Sequence, residues 1–448
     1  MEIEFDKLNI LERNFNLVNI KNCSYCNELF TEELWCKECD PFRIMEGWTS
    51  GNSDIDKFIK DTMYKPRYSD EFLEWVPFDR FTDKKEIGEG GFAKVYSAIW
   101  IDGKSNYYIN NDGDYKKVEA DPKRVALKRL NGSQNMSDKY LNEVCLIFII
   151  SNKNFKTSGL SLYGITKDPE TKEFMMIIKF ADKGNLRSSL INNFNNILWK
   201  NKIVLLFDLS ENLQDLHKLG YFHKDFHSGN ILRINDILSF ISDFGLSGPV
   251  NGQKSDDKVY GVLPYIAPEV LNGEHYTTSS DIYSFGVVMA ELSSGKPPFY
   301  NKKHDLNLAL AICNGLRPEF GKGTPEFYKK LAYRCMNANS NERPTAKELK
   351  IILTIWRNAI YGYYRNKGKE GKEIKTAFEE ADKEIPNIST SYEKNSDAVY
   401  TSRAFNFSNL LSKPVNSSII TSYINEESNE VHDSQLVNLE IPDLKDKL

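Results

Sequence analysis

The chain has 448 residues, with 58 Lys+Arg against 63 Asp+Glu and a formal charge of −5. An apolar fraction of 40 % with 12 % aromatics excludes a wholly disordered chain. A net charge this mild gives no reason to expect nucleic acid or an anionic membrane as a partner. At roughly 100–200 residues per domain the length allows two to four domains. Seven cysteines are few for a disulfide scaffold of this size. The longest uninterrupted apolar stretch, Val144 to Ile150, falls far short of the ~18–20 residues a bilayer requires. The start, Met1-Glu2-Ile3-Glu4, lacks the basic and apolar regions of a signal peptide. The expectation is a soluble protein of a reducing compartment, placed in the cytoplasm.

Residues 1–45 carry Cys23-Ser24-Tyr25-Cys26 and, nine residues on, Cys36-Lys37-Glu38-Cys39. Each C-x-x-C pair can present two thiolates to one Zn²⁺, and two such knuckles complete a tetrahedron. Cys23, Cys26, Cys36 and Cys39 are therefore candidate ligands of a structural zinc in a small ribbon-like module, with Leu29, Phe30 and Trp35 as its cover; unligated or redox cysteines are the competing reading. Cys145, Cys313 and Cys335 are scattered and read as small apolar core residues. Residues 46–78 read as a polar connector anchored by Trp48, Phe58, Phe72 and Trp75.

From 79 to 357 strand-like runs give way to helical ones. Glu86-Ile87, Val95–Ile101 and Arg124–Leu130 read as strands, with 102–122 as a long surface loop between the last two. Lys139 to Ile150 reads as a helix, and Leu160–Thr166 with Phe174–Phe180 as a hairpin turning at 167–171. Ile203, Leu206, Leu209, Leu213 and Leu216 then follow steps of three and four, as do Leu349, Ile352, Leu353 and Trp356, each set forming one apolar helical face. A small sheet lobe before a larger helical lobe is an α+β architecture. Residues 358–448 are rich in Ser, Asn, Lys and Glu and are expected to be a largely disordered tail, opened by a basic stretch from Arg357 to Lys375.

Four strings in this region carry chemistry. Gly88-Glu89-Gly90-Gly91-Phe92-Ala93-Lys94-Val95 is a glycine-rich turn between two strands, able to bring backbone amides close to phosphates. Val125-Ala126-Leu127-Lys128 places a lysine in a strand, and Glu143 on the following helix can pair with it. His223-Lys224-Asp225-Phe226-His227-Ser228-Gly229-Asn230 sets an Asp and an Asn five residues apart, one suited to a hydroxyl proton and the other to a divalent cation; Asp243, in Ser242-Asp243-Phe244-Gly245, adds a second carboxylate suited to Mg²⁺.

In this order the set resembles the eukaryotic protein kinases, most loosely the tyrosine-kinase-like group, whose members mostly act on Ser and Thr. Ala267-Pro268-Glu269, Asp281-Ile282-Tyr283-Ser284-Phe285-Gly286 and Glu342-Arg343-Pro344-Thr345 extend the likeness across 79–357. The resemblance implies a bilobal kinase fold, ATP and Mg²⁺ as cofactors, protein substrates, and no nucleic-acid or membrane partner. It implies that Lys128 contacts the α/β-phosphates and pairs with Glu143. Gly88, Glu89, Gly90, Gly91, Phe92, Ala93 and Val95 would cover the nucleotide, with Val95 and Ala126 above the adenine and Leu232 also in its pocket. Ile178 would sit behind the pocket and the backbone of Lys179 and Ala181 would bond the adenine edge. Asp225 would take the acceptor proton, Asn230 and Asp243 would hold Mg²⁺, and Glu269 and Arg343 would form a structural ion pair.

The departures are Ala93 at the third glycine, Lys224 for the usual arginine beside the catalytic aspartate, His227 where Ser/Thr kinases carry lysine, and Val262 for a frequent threonine. The last two leave hydroxyl specificity open. Ser247, Ser255 and Tyr260 lie in the activation segment, Leu246 to Ile266, where phosphorylation would meet Lys224. The expected function is phosphate transfer from ATP to protein Ser/Thr hydroxyls in signalling; the alternatives are a nucleotide-binding pseudokinase and an adaptor working through its N-terminal module or tail.

Overall fold

A computed structural model describes residues 22, 26–28, 36, 39, 47–64, 72–90, 93–104, 107–109, 115–117, 121–135, 138–152, 160–250, 259–363, 368–407 and 410–425. The chain divides into two compact units, one of 1–82, 99–123 and 163–167, the other of 83–98, 124–162 and 168–448. Among the described residues no helix is long and apolar enough to cross a membrane.

In the first unit, the supposed connector is a folded element. Ile55, Phe58, Ile59 and Met63 stand at steps of three and four on a helix, Ser53–Tyr64, and all four are buried. Asn52 caps it, its Oδ1 accepting from the amides of Asp54 (3.0 Å) and Ile55 (3.1 Å). The short strand Glu74–Trp75 runs parallel to Leu162–Lys167, with Glu74 opposite Gly164. A Cβ at Gly164 would lie 2.1 Å from the Glu74 carbonyl oxygen, so only glycine permits this approach. Trp48 stacks on Trp75, and Lys104 sits over the Phe72 ring while bonding Glu74 at 2.8 Å. The stretch read as one long surface loop contains an antiparallel pair, Tyr107–Ile109 with Tyr115–Lys117; its polar composition hid the tyrosine-rich strands.

The second unit contains most of the small sheet and, among the described residues, every α-helix except Ser53–Tyr64. The strands Phe174–Lys179, Lys123–Leu130, Ala93–Trp100 and Phe81–Glu89 lie side by side in that order. The helix Asp138–Asn152 follows the third expected strand. The expected hairpin is closed at both ends, by Lys179 N to Ser161 O (2.9 Å) and Asp168 N to Glu173 O (2.9 Å). The helix Trp199–Lys218 buries Ile203, Leu206, Leu209, Leu213 and Leu216 completely and packs on Ala346–Tyr361, which contributes Leu349, Leu353 and Trp356. The helix Thr278–Ser294 is apolar on nearly all sides and lies in the core, as such a helix must.

The reading of the tail as largely disordered is corrected for residues 368–407 and 410–425. Composition missed an amphipathic stripe: Ile374, Phe378 and Ala381, at steps of four and three, are buried by the helix Gly368–Glu384. Phe378 meets Trp199, Phe327 and Trp356 with ring centroids 5.4, 5.2 and 6.0 Å away. Farther on, Arg403–Phe405 forms a strand and Ser418–Asn425 a helix with Ile420 buried. Residues 426–448 lie outside the described residues.

The tail helix closes over Lys202, which is fully buried, with its ammonium over the rings of Phe194 (4.3 Å) and Trp199 (4.7 Å) and no hydrogen-bond partner among the described residues. Burial lowers its pKa to about 7, against a smaller opposing effect of Asp382. The lysine is neutral in both states well above pH 10. As the pH falls toward 7 the unfolded chain takes up a proton that the folded chain resists, so this site costs stability progressively down to about pH 7 and levels off below it. Lys202→Met is expected to raise stability at pH 7 by a few kcal/mol on the order of the shift, at ~1.4 kcal/mol per unit, and to flatten the rise between pH 7 and 10; urea unfolding across that range measures both.

Candidate active site

The predicted residues gather within the second unit. Lys128 lies on the Lys123–Leu130 strand opposite Met176, with Ala126 opposite Ile178. Its ammonium is buried and lies 2.5 Å from Glu143 Oε1 and 2.9 Å from Asp243 Oδ1. Burial alone would lower the lysine pKa, but the Asp243 and Glu143 carboxylates outweigh it and raise it, so the cation is permanent. Asp243 sits in the left-handed region at φ 64°, an uncommon conformation for a non-glycine residue and one held by its surroundings.

A cavity of about 280 Å³ opens beside this trio. Gly88, Val95, Ala126, Ile178, Lys179, Ala181 and Leu232 line it, and Lys128, Asn230 and Asp243 form a polar part of its wall. Glu89 instead pairs with Lys94 at 3.1 Å, and Gly90 N donates to Ala93 O at 2.8 Å to close the glycine turn. Gly91 and Phe92 lie outside the described residues. Ile87, Ile147, Leu160 and Asn185 also line the cavity and escaped the sequence reading. Ile147 was accessible in principle, since it stands one turn beyond Glu143 on the same helix face; Leu160 had no such signal.

The polar loop after Tyr221–Phe222 is fixed from below by Asp281. This buried carboxylate accepts from the amides of His223 (2.8 Å) and Lys224 (3.0 Å) and lies 2.9 Å from His217 Nε2. The three contacts hold Lys224 at φ 73°, another left-handed non-glycine, and turn Asp225 inward. His223 is kept neutral by burial, with Nε2 donating to the Ser242 carbonyl (3.1 Å) and Nδ1 accepting from Asp225 N (3.3 Å). Lys224 carries its ammonium over the Tyr276 ring at 4.8 Å. Ser255 of the activation segment lies outside the described residues.

Asp225 Oδ2 accepts from Asn230 Nδ2 (3.1 Å) and from the hydroxyl of Ser402. Oδ1 is buried and has no hydrogen-bond partner among the described residues. His227 Nδ1 accepts from Gly229 N at 3.0 Å, leaving Nε2 to face Asp225 Oδ2 at 3.6 Å. Burial would raise the Asp225 pKa, but His227 and the hydrogen bond from Ser402 hold it at about 2. Asn230 spends its amide protons on the Asp225 carbonyl (3.0 Å) and carboxylate, which leaves its Oδ1 as the atom for a cation.

Glu269 and Arg343 form a buried bidentate pair at 2.7 and 2.6 Å. The three remaining cysteines behave as core residues, with burial pushing the thiols of Cys145, Cys313 and Cys335 up to about 12, 11 and 12. In the first unit, the sulfurs of Cys26, Cys36 and Cys39 lie within 4.8 Å of one another, with Cys26 and Cys36 3.5 Å apart; Cys23 lies outside the described residues.

Residues 81–353 match the family described as protein tyrosine and serine/threonine kinase, and the chain belongs to that family. It is 28 % identical over 266 residues to a "Probable serine/threonine-protein kinase" of Dictyostelium discoideum, covering 59 % of this chain and 15 % of that protein. It is 25 % identical over 397 residues to "Probable serine/threonine-protein kinase gdt4" of the same organism, covering 82 % of this chain and 22 % of the relative. "Probable serine/threonine-protein kinase PBL12" of Arabidopsis thaliana is 28 % identical over 318 residues, with 66 % of this chain and 71 % of that protein covered. The chain thus spans less than a quarter of the two Dictyostelium relatives.

The Glu269–Arg343 pair joins the short helix Pro268–Leu271, just after the activation segment, to the turn before the helix Ala346–Tyr361. Arg343→Met should cost about 3–5 kcal/mol, because it leaves a carboxylate buried without its partner. The shift of the urea unfolding midpoint at constant slope measures it.

Proposed function

We infer that this chain is an ATP- and Mg²⁺-dependent protein kinase that phosphorylates serine and threonine hydroxyls. The observation that carries this is the convergence of Lys128, Asn230 and Asp243 on one wall of a cavity otherwise lined largely by apolar side chains and backbone, with Asp225 beside Asn230. An apolar slot with one charged wall fits a nucleotide, base inward and phosphates toward the cation. Val95, Ala126, Ile178 and Leu232 would sandwich the adenine, while the backbone of Lys179 and Ala181 would bond its edge. Gly88, Gly90 and the turn around them would lie over the phosphates.

Lys128, held by Glu143, would bind the α/β-phosphates. Asn230 Oδ1 and the Asp243 carboxylate would hold Mg²⁺, which when bound neutralises charge on the transferring phosphate. Asp225 Oδ2 would align the acceptor hydroxyl and receive its proton late in transfer, as suits a carboxylate held near 2. His227 Nε2, beside that oxygen, would supply the donor that other Ser/Thr kinases take from lysine. The Ser/Thr preference is supported by the relatives' printed descriptions.

Asp225→Asn should lower phosphate transfer from labelled ATP to a peptide library about 10²–10⁴-fold while sparing nucleotide binding. Equal residual rates in the variant and the wild type would overturn the assignment, and the acceptors recovered would decide Ser/Thr against Tyr.

The N-terminal cysteines are read as a structural zinc site. Tetrahedral thiolates at about 2.3 Å from Zn²⁺ stand roughly 3.8 Å from one another, which suits three sulfurs within 4.8 Å; Cys23 would be the fourth ligand. One zinc per chain in the purified protein, lost in Cys26→Ser, is the expected outcome of elemental analysis.

A further inference from the structure

The tail does not end at the helix Gly368–Glu384. Residues 395–407 run along the helical part of the second unit and into the catalytic loop, tied at every few residues. Asn395 N bonds the Tyr300 carbonyl (2.9 Å), His304 N the Asp397 carbonyl (3.2 Å), and His304 Nδ1 donates to the Val399 carbonyl (2.9 Å). Tyr400 is the anchor. Its hydroxyl donates to Pro298 O (2.9 Å), its carbonyl accepts from Arg187 Nη1 (3.0 Å), and its ring lies between the Arg187 guanidinium (4.7 Å) and the edge of His304 (4.9 Å).

Two residues on, Ser402 donates its hydroxyl to Asp225 Oδ2, the oxygen assigned to the acceptor proton. Arg403–Phe405 then pairs antiparallel with Val259–Gly261 of the activation segment, Gly261 opposite Arg403 and Val259 opposite Phe405. A strand added to an exposed backbone edge is a general mode of peptide recognition. The serine that precedes this strand stands where an attacking hydroxyl must stand, on the base and before the strand that fixes register.

We propose that residues 395–407 are an intramolecular substrate of this kinase: Ser402 is phosphorylated in cis, and until then the segment keeps other proteins out of the acceptor site. This rests on the kinase reading above. In the transfer, Ser402 Oγ attacks the γ-phosphorus of ATP. The new Oγ–P bond forms as the bond from that phosphorus to the β–γ bridging oxygen breaks; ADP leaves with the electron pair, and the hydroxyl proton passes to Asp225 Oδ2. A tethered acceptor has an effective concentration on the order of millimolar, so it outcompetes most free substrates. Once phosphorylated, the serine carries about −1.5 to −2 charge against the buried Asp225 carboxylate, and the segment leaves. Opening is then set by the chain's own first turnover.

The 448-residue chain, dephosphorylated and given Mg²⁺ and ATP, should gain phosphate on Ser402 with a rate constant unchanged on roughly tenfold dilution. Its phosphorylation of a serine peptide library should show a lag that ends as Ser402 fills. Tyr400→Ala and Ser402→Glu in the same 448-residue chain should start without the lag; if the closed form is nine-tenths populated, their initial rate is about tenfold higher. Ser402→Ala should stay slow. The inference is overturned if peptides are phosphorylated while Ser402 stays unmodified and both opening variants keep the wild-type initial rate, or if Ser402 phosphorylation accelerates with protein concentration. Those results leave the kinase reading standing; absence of transfer to any acceptor, by the wild type and both opening variants, removes both.

Discussion

One cation holds the candidate active site together. Lys128 comes from a strand, Glu143 from the following helix and Asp243 from a turn 115 residues away in sequence, and the ammonium lies within 3 Å of both carboxylates. Burying three charges is costly unless each is paired. The arrangement is therefore stable only when strand, helix and turn are all in place together. Any movement of the helix would part the lysine from Glu143 and leave Asp243 as its remaining carboxylate. The same coupling sets the chemistry, because it keeps the lysine charged, Asp243 ionised and both at the wall of the cavity.

A second buried anion does for the loop what Lys128 does for the cavity. Asp281 lies on the most buried helix and holds two successive amides of the loop, one of them on a left-handed lysine. A strained residue persists only where its surroundings over-determine it, and Asp281 supplies that. Asp225 is thereby fixed against Asn230 and His227 before any substrate arrives, so little reorganisation is left for the reaction itself.

The helical core and the cavity were legible because their signals are local. The steps of three and four at Ile203 to Leu216 fall on one buried face, and the strand that carries Lys128 begins within a residue of its expected place. Lys128, Glu143, Asn230 and Asp243 are brought together in the order their motifs suggested. Composition misled where packing decides. The 46–78 stretch is polar on average, yet Ile55, Phe58, Ile59 and Met63 form a stripe that an average conceals. The tail failed for the same reason, since the buried Ile374, Phe378 and Ala381 are enough to dock the helix Gly368–Glu384. Ser402 had no local signal at all, because its partner oxygen is 177 residues away.

A segment held mainly through its backbone need not look like a folded one. Around Tyr400 the tail is fixed by carbonyls, one aromatic ring and a strand pairing, none of which demands an apolar sequence. Arg187 makes the connection consequential. Its guanidinium serves Tyr400 on one side and, on the other, the Tyr265 hydroxyl (3.3 Å), which itself donates to the buried Glu291 (2.6 Å). Burial raises the Glu291 pKa, and Arg187 opposes that effect from 3.9 Å. The tail thus rests on a network that also reaches Ser228, whose hydroxyl donates to Glu291 at 2.8 Å within the turn that carries Asn230. Departure of the tail would remove two of the Arg187 contacts while leaving those to Tyr265 and Glu291. The loop that carries Asp225 and Asn230 therefore keeps these buried supports whether or not the tail lies on it.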